Sequence, residues 1–389
     1  MERIENIFSL CPDWPEQKID WQRIESSPLS PYFQKMAKTP QQREWHGEGD
    51  VYTHTKLVCE RLTALEGFWR IGDRQRRELF VAALLHNVGK PMTTRLEDGK
   101  LVSPKHGPVG AQIARRLLWT ELGFSGTAEA QRMRETVCLL IRYHTAPPHA
   151  LMRGNPELYL RKIASNGKLA PDFSIGMLCM LAEADVLGRV SDETRALCDM
   201  VRLCAAQAEE SACLNAPFAF PDACTEHAYL SGRNVPPDIP LYDDTWGEVV
   251  MLCGLPGTGK DTFIREKLPA LPMLSLDEIR REFGVKPTAD QGRVIQEGKR
   301  RAKELLAARR PFVFNGTNVT DMLRANWTQL FEAYHARVRM VFLETGWQEN
   351  LKRNAARREA VPERVIADLL DKLTPPEPKE AQNVEWVVL

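Results

Sequence analysis

The stretch Val249-Val250-Met251-Leu252-Cys253-Gly254-Leu255-Pro256-Gly257-Thr258-Gly259-Lys260-Asp261-Thr262 decides how the second half of this chain folds. Its first five residues, Val249 to Cys253, are all apolar, as a parallel strand buried on both faces requires. A loop with glycines at 254, 257 and 259 follows, then a lysine and the start of a polar-apolar helix. Strand, glycine loop, lysine and helix in that order form a phosphate-binding loop, Gly-x-x-x-x-Gly-Lys. The glycines let backbone N–H groups converge on a polyphosphate. The helix N-terminus adds partial positive charge, and Lys260 reaches the outer phosphates. Gly254, Gly257, Thr258, Gly259, Lys260, Asp261 and Thr262 are therefore the expected contacts of ATP and its Mg2+. One position departs: Asp261 stands where Ser or Thr usually holds Mg2+, with Thr262 behind it. A carboxylate can hold that ion directly or through water.

A chain of 389 residues is long enough for two or three domains, each with its own core. Lys plus Arg and Asp plus Glu both number 52, so no global field draws the protein onto polyanions. Any such binding must come from a local basic patch. Nine scattered cysteines without a Cys-x-x-Cys pair lead us to expect reduced thiols and a cytoplasmic protein. Met1-Glu2-Arg3-Ile4-Glu5 has no apolar signal-peptide stretch, and no run approaches membrane-spanning length.

Prolines and aromatics punctuate residues 1–45, which reads as short helices and loops packed on the first domain. Apolar residues then recur at helical spacing over 51–69, 74–88, 108–122, 128–143, 155–165, 173–187 and 191–209, with no strand-like alternation. The expectation is an all-α domain over 1–235. The proline-rich run through Val235-Pro236-Pro237 cannot continue a helix, which places a linker at 236–247. Beyond it, apolar strands at 249–253, 271–276, 311–315, 338–344 and 384–388 alternate with helices. That alternation predicts an α/β domain with a parallel sheet over 248–389.

Six of the eight histidines fall between 46 and 149. His86 closes the apolar helix Phe80-Val81-Ala82-Ala83-Leu84-Leu85, His106 begins a helix, and His144 ends one. His54 follows Glu48-Gly49-Asp50, and Asp185 interrupts an apolar helix. Each alone reads as a hydrogen-bonded packing residue. Buried together, imidazoles and a carboxylate are costly unless paired or on a metal. Their order resembles the HD phosphohydrolase superfamily across about 46–190, and Glu48-Gly49-Asp50 with Ala184-Asp185-x-x-Gly-Arg189 is most similar to members acting on RNA ends. The resemblance implies a helical domain holding one or two divalent metals through His54, His86, His106, His144 and Asp185. The metal would be a transition metal such as Mn2+, Ni2+, Co2+, Cu2+ or Zn2+. It implies Lys90 and Arg189 as phosphate contacts, with His46 facing the site and His149 dispensable. At the position of the family's aspartate this chain has Asn87, between the intact flanks Leu84-Leu85-His86 and Gly89-Lys90-Pro91. An amide is neutral and offers one good donor oxygen, so metal affinity and hydrolysis are expected to fall sharply.

In the second half, Asp277 stands at the carboxyl end of a strand, where ligands of open α/β sheets gather. It can deprotonate a hydroxyl attacking a γ-phosphate, and Arg280, one helical turn on, can hold an acceptor phosphate. The bland alternative is a helix cap with a salt-bridged Arg280. Phe312-Val313-Phe314-Asn315-Gly316-Thr317-Asn318 is a strand ending in polar residues, with Arg324 beyond as a further substrate contact. Arg353 and Arg357 share a helix face, with Arg358 adjacent, either as a solvated basic face or as a lid of arginines over the transferring phosphoryl group. The phosphate loop, Ser275-x-Asp277-x-x-Arg280 and Arg353-Asn354-x-x-Arg357 with Val361-Pro362 together resemble polynucleotide 5′-kinases across about 248–372. That resemblance implies Asp277 as general base, Arg280 on the acceptor, and Lys260, Arg353 and Arg357 on the transferred group. The whole order resembles bacterial HD-domain polynucleotide kinase fusions. It implies an ATP-dependent 5′-hydroxyl kinase joined to a 2′,3′-cyclic phosphodiesterase or 3′-phosphatase, with RNA or DNA ends and a cooperating ligase as partners and no membrane. Two other functions stay open at this point: a nucleoside or small-molecule kinase fused to a nucleotide phosphohydrolase, and an ATP-binding switch with a degenerate HD sensor.

Overall fold

The computed structural model describes residues 6–285, 290–357 and 359–389; Arg358 lies outside them. The chain divides into two compact units, Met1–Phe124 with Glu129–Phe218, and Ser125–Ala128 with Ala219–Leu389.

The first unit is helical. After a 3-10 turn at Ile7–Leu10 come α1 (Trp21–Glu25), α2 (Ser30–Ala37), α3 (Val51–Ala64), α4 (Glu66–Arg70), α5 (Asp73–Leu85) and α6 (Lys90–Thr93). A short antiparallel hairpin of β1 (Arg95–Glu97) and β2 (Lys100–Val102) precedes α7 (His106–Arg116), α8 (Ala128–Tyr143), α9 (Pro156–Ala164), α10 (Ile175–Leu187) and α11 (Thr194–Glu210). The hairpin corrects the expectation of a strandless half. Asp98 and Gly99 turn it with φ of 50° and 76°, the conformation an Asp-Gly pair favours. Leu79 to Leu85 of α5 are all buried, and α10 is apolar nearly all round, so these two helices form the centre of the core. Asp50 caps α3, its side chain accepting from the N–H groups of Tyr52 and Thr53, which fixes where the helix carrying His54 begins.

The second unit begins with α12 (Ala223–Leu230), whose His227 Nε2 lies 2.6 Å from Glu332 Oε1. The division between the compact units falls at 218/219. Then follow β3 (Glu248–Cys253), α13 (Lys260–Lys267), β4 (Met273–Ser275), α14 (Leu276–Glu282), α15 (Gly292–Ala307), β5 (Phe312–Asn315), α16 (Asp321–Glu332), β6 (Arg337–Glu344), α17 (Trp347–Ala355), α18 (Glu363–Lys372) and β7 (Asn383–Val388). The five strands make one all-parallel sheet in the order β4-β5-β3-β6-β7. Strand β3 is central, and Val249 to Cys253 are wholly buried, as an apolar run in a sheet covered on both faces must be. The loop after β3 thus opens at the carboxyl edge of the sheet, between the ends of β5 and β6.

Candidate active sites

In the first unit, α3 supplies His54, the turn after α5 supplies His86 and Asn87, α7 begins with His106, the residue after α8 is His144, and α10 supplies Asp185. All but His106 are buried. Three imidazoles repeat one device: Nδ1 lies against the carbonyl three residues earlier. The distances are 2.7 Å from His86 to Ala83, 2.8 Å from His106 to Ser103 and 2.7 Å from His144 to Ile141. A carbonyl only accepts, so each Nδ1 carries the proton and each Nε2 presents a lone pair, the state of a metal-binding imidazole. Burial pushes the pKa of His106 down to about 4 and that of His144 well below the usual value, so both are neutral. Their Nε2 atoms nevertheless face each other at 3.1 Å, an arrangement that a cation satisfies. Gly89 makes this convergence possible, because a Cβ there would stand 2.2 Å from the carbonyl oxygen of His106.

Asp185 joins the remaining ligands. Its Oδ1 is 2.8 Å from His54 Nε2 and 3.5 Å from His86 Nε2, while Oδ2 accepts from Arg189 at 2.6 Å. Burial opposes its ionisation, but Arg189 and the two histidines outweigh that and hold its pKa well below the carboxylate range. Glu48 was not foreseen as part of the site. Its Oε1 lies 2.8 Å from Nδ1 of both His46 and His54, out of hydrogen-bond alignment with the latter, and Oε2 accepts from the backbone of Val190 at 2.9 Å. Burial opposes its charge as well, and the two histidines and Val190 reverse the balance. Lys90 is buried, donates to Gln41 Oε1 at 2.7 Å, and is pushed down to about 8 by burial. His54, His86 and Asp185 form one group able to hold a metal, and His46, Glu48 and His54 another. Imidazole nitrogens with carboxylate oxygens fit a divalent transition metal. Asn87 fits it poorly: its Nδ2 sits 2.6 Å from His86 Nε2 and donates to that lone pair, while its Oδ1 is buried without a partner. His46, Asn87, Lys90, His106, His144, Asp185 and Arg189 help to line a cavity of about 360 Å3.

In the second unit, Gly254, Gly257 and Gly259 adopt φ of 141°, 88° and 91°, so glycine is required at each. Lys260 bridges the loop, donating to the carbonyls of Gly254 at 2.9 Å and Leu255 at 2.8 Å, and burial pushes its pKa down to about 8. The charges of Asp261, Asp277 and Arg357 all act on it, so the expected base and one lid arginine share the electrostatic field of the loop lysine. Asp261 accepts from Asn315 Nδ2 at 2.9 Å, across the step from β3 to β5. Asp277 is exposed in the first turn of α14 and ion-paired with Arg280; the cap of that helix is Ser275, so Asp277 is not consumed by capping. Arg280 is also held by Gln291 at 2.8 Å. Arg353 pairs with Glu349 at 2.8 Å, and its Nη1 lies 3.6 Å from where a Cβ on Gly259 would stand.

A family model described as HD domain matches residues 51–170, and one described as AAA domain matches residues 249–376. The chain joins an HD domain to a P-loop domain. No curated protein matches it. The P-loop domain implies ATP and Mg2+, and the HD domain a divalent metal. Asp185 lies beyond the matched HD segment, yet the fold brings it against His54.

Arg324, expected to contact substrate, requires correction. It is fully buried, paired with Glu380 at 2.7 Å, and donates to the carbonyls of Asn318 and Thr374. It ties the end of β5 to the segment before β7 and cannot reach a ligand. Sequence reasoning also missed Asn350 and Asn354 of the P-loop domain. Asn350 Nδ2 donates to Pro256 at 3.0 Å, and Asn354 exchanges two hydrogen bonds with the backbone of Val361, so α17 is fastened both to the loop and to the strap before α18. Among the described residues no helix is long and apolar enough to cross a membrane.

Proposed function

We propose that this protein is a bifunctional nucleic-acid end-healing enzyme of the cytoplasm. The P-loop domain transfers the γ-phosphate of ATP to a 5′-hydroxyl of RNA or DNA, and the HD domain acts on 2′,3′-cyclic phosphates or 3′-phosphates. The observation that supports the kinase half is that the loop lysine feels the charges of Asp277 and Arg357, with Arg280 ion-paired to that same Asp277. Asp277 takes the proton of the attacking hydroxyl as its oxygen bonds to the γ-phosphorus, and the bond from that phosphorus to the β–γ bridging oxygen breaks to release ADP. Lys260, Arg353 and Arg357 offset the charge of the transferring group. Arg280 is drawn to the phosphate that follows the acceptor nucleoside. Mg2+ neutralises the outer phosphates when bound.

In the HD domain, His54, His86, His106, His144 and Asp185 would hold the metal, which supplies a Lewis acid and an activated water. Lys90 and Arg189 bind the phosphate. Asn87 impairs this half by donating to the lone pair that His86 would offer the metal. The same hydrogen bond favours, as a second reading, an HD domain that binds its ligand without turnover and senses it. A ligase acting on the healed ends is the implied partner.

The kinase reading is tested with Lys260→Ala and Asp277→Ala on a 5′-hydroxyl oligonucleotide. Each should lose orders of magnitude in phosphorylation, while Asp277→Ala retains ATP binding. Phosphorylation by Asp277→Ala at the unmodified rate would refute the assignment of the base.

A further inference from the structure

The cavity of the HD domain has two chemically distinct ends. Its buried floor holds His46, Lys90, His144 and Asp185, with His106 and Arg189 beside them; its more exposed rim mixes the apolar Pro40, Trp45, Leu101, Val102 and Pro104 with Gln42, Glu97 and Ser103. Leu101 and Val102 belong to β2, and the hairpin is tied to the rim loop by the Leu101 N–H donating to Gln42 Oε1 at 3.0 Å. Lys100 of the same strand lies 5.4 Å from the centre of the Trp45 ring and 3.6 Å from Glu44, so the indole is braced rather than loose. A volume of about 360 Å3 suits a ligand of mononucleotide size. A phosphate drawn to Lys90 and Arg189 would carry its organic group up to this rim, where a flat half-buried indole is the one large aromatic surface of the lining.

We infer that Trp45 is the base platform of the HD domain: the nucleobase of a nucleoside phosphate stacks on its indole while the phosphate sits on the floor. This rests on the reading of that floor as a phosphate site. The ligand is a nucleoside 3′-monophosphate, either free or as the last residue of a strand. Base–aromatic stacking contributes about 1–3 kcal/mol, which corresponds to about five- to a hundredfold in affinity.

The test is calorimetric titration of the full chain, with the phosphate loop occupied by a saturating non-hydrolysable ATP analogue. Adenosine 3′-monophosphate, ribose phosphate and a short oligonucleotide ending in a 3′-phosphate are the probes. The expected result is roughly tenfold or more tighter binding of the adenosine compound than of ribose phosphate. Trp45→Ala should erase that preference without changing ribose phosphate affinity, and Trp45→Phe should keep most of it. Arg189→Ala should weaken both, locating the binding in this cavity. Oligonucleotide binding as tight as that of the mononucleotide assigns the platform to strand ends, and its exclusion assigns it to free nucleotides. A preference for the base that survives Trp45→Ala, or no preference at all, would overturn the inference. Failure of every phosphate to bind would instead overturn the phosphate-site reading beneath it.

Discussion

Replacing Asn87 by aspartate should convert the HD domain from a weak to a strong metal binder. The amide now donates to His86 Nε2 at 2.6 Å, and a metal must break that hydrogen bond, a cost of about 1 kcal/mol. A carboxylate removes this competitor and adds a negative charge. At about 4 Å and an effective dielectric near 20, a divalent ion and a carboxylate attract by about 8 kcal/mol. Desolvating a carboxylate at so buried a position offsets several kcal/mol of this. The few kcal/mol that remain correspond to a rise of about a hundredfold or more in metal affinity. In the metal-free variant the new charge adjoins Asp185, whose Oδ1 is only 3.5 Å from His86 Nε2, so that form should be less stable and regain stability as metal is added. The assays are metal per protein by elemental analysis, thermal unfolding across a metal titration, and ring opening or phosphate release on a 2′,3′-cyclic phosphate end. If neither metal content nor metal-dependent stabilisation rises in Asn87→Asp, the histidines are packing residues and the metal site is refuted. If the Asn87 protein already hydrolyses as fast as the variant, only the claim of impairment fails.

Lys260 has a pKa near 8 in the free protein, and a bound polyphosphate must raise it. ATP binding should therefore take up protons just above pH 8 and weaken as pH rises through that value, measured by calorimetry in two buffers of different ionisation heat. Arg280→Ala should raise the acceptor concentration needed for half-maximal phosphorylation while leaving ATP saturation nearly unchanged; equal loss on both substrates would mark Arg280 as structural. Arg324→Ala should cost about 3–5 kcal/mol in denaturant unfolding because it strands Glu380. Glu78, buried beside Arg74 and Asp172, is pushed up to about 8 by burial, so the folded state holds a proton that the unfolded chain releases. That contribution is present below about pH 4.5 and is lost as pH rises to about 8. Glu78→Gln should accordingly be more stable than the parent above pH 8, and less advantaged near pH 5.

The features readable in sequence were those written in consecutive residues. Val249 to Cys253 is a buried strand wherever it is placed, and the loop glycines with positive φ can hardly be anything else. The histidines were visible because they stand where apolar helices begin or end. Residues whose meaning depends on distant partners were not. Glu48 sits in a loop and gains its role only when His54 and the backbone of Val190 close on it. Asn350 and Asn354 are neutral amides on a basic helix, with nothing local to show that one fastens the phosphate loop and the other the strap before α18. Arg324, just past a strand end, reads as a substrate contact until Glu380, far along the chain, supplies its counter-charge. The Asp98-Gly99 turn was local and readable, and helical periodicity on either side of it obscured the signal.

The central claim, that the P-loop domain heals nucleic-acid 5′ ends, is tested most directly by its choice of acceptor. Labelled ATP is offered with a 5′-hydroxyl oligonucleotide and, separately, with the corresponding bare nucleoside. A kinase that uses Arg280 to hold the phosphate beyond the first nucleoside should label the oligonucleotide far more efficiently, and Arg280→Ala should narrow the gap. Equal labelling of both acceptors would contradict the account and make the protein a nucleoside kinase. Labelling of neither, with ATP bound, would make it a nucleotide-dependent switch.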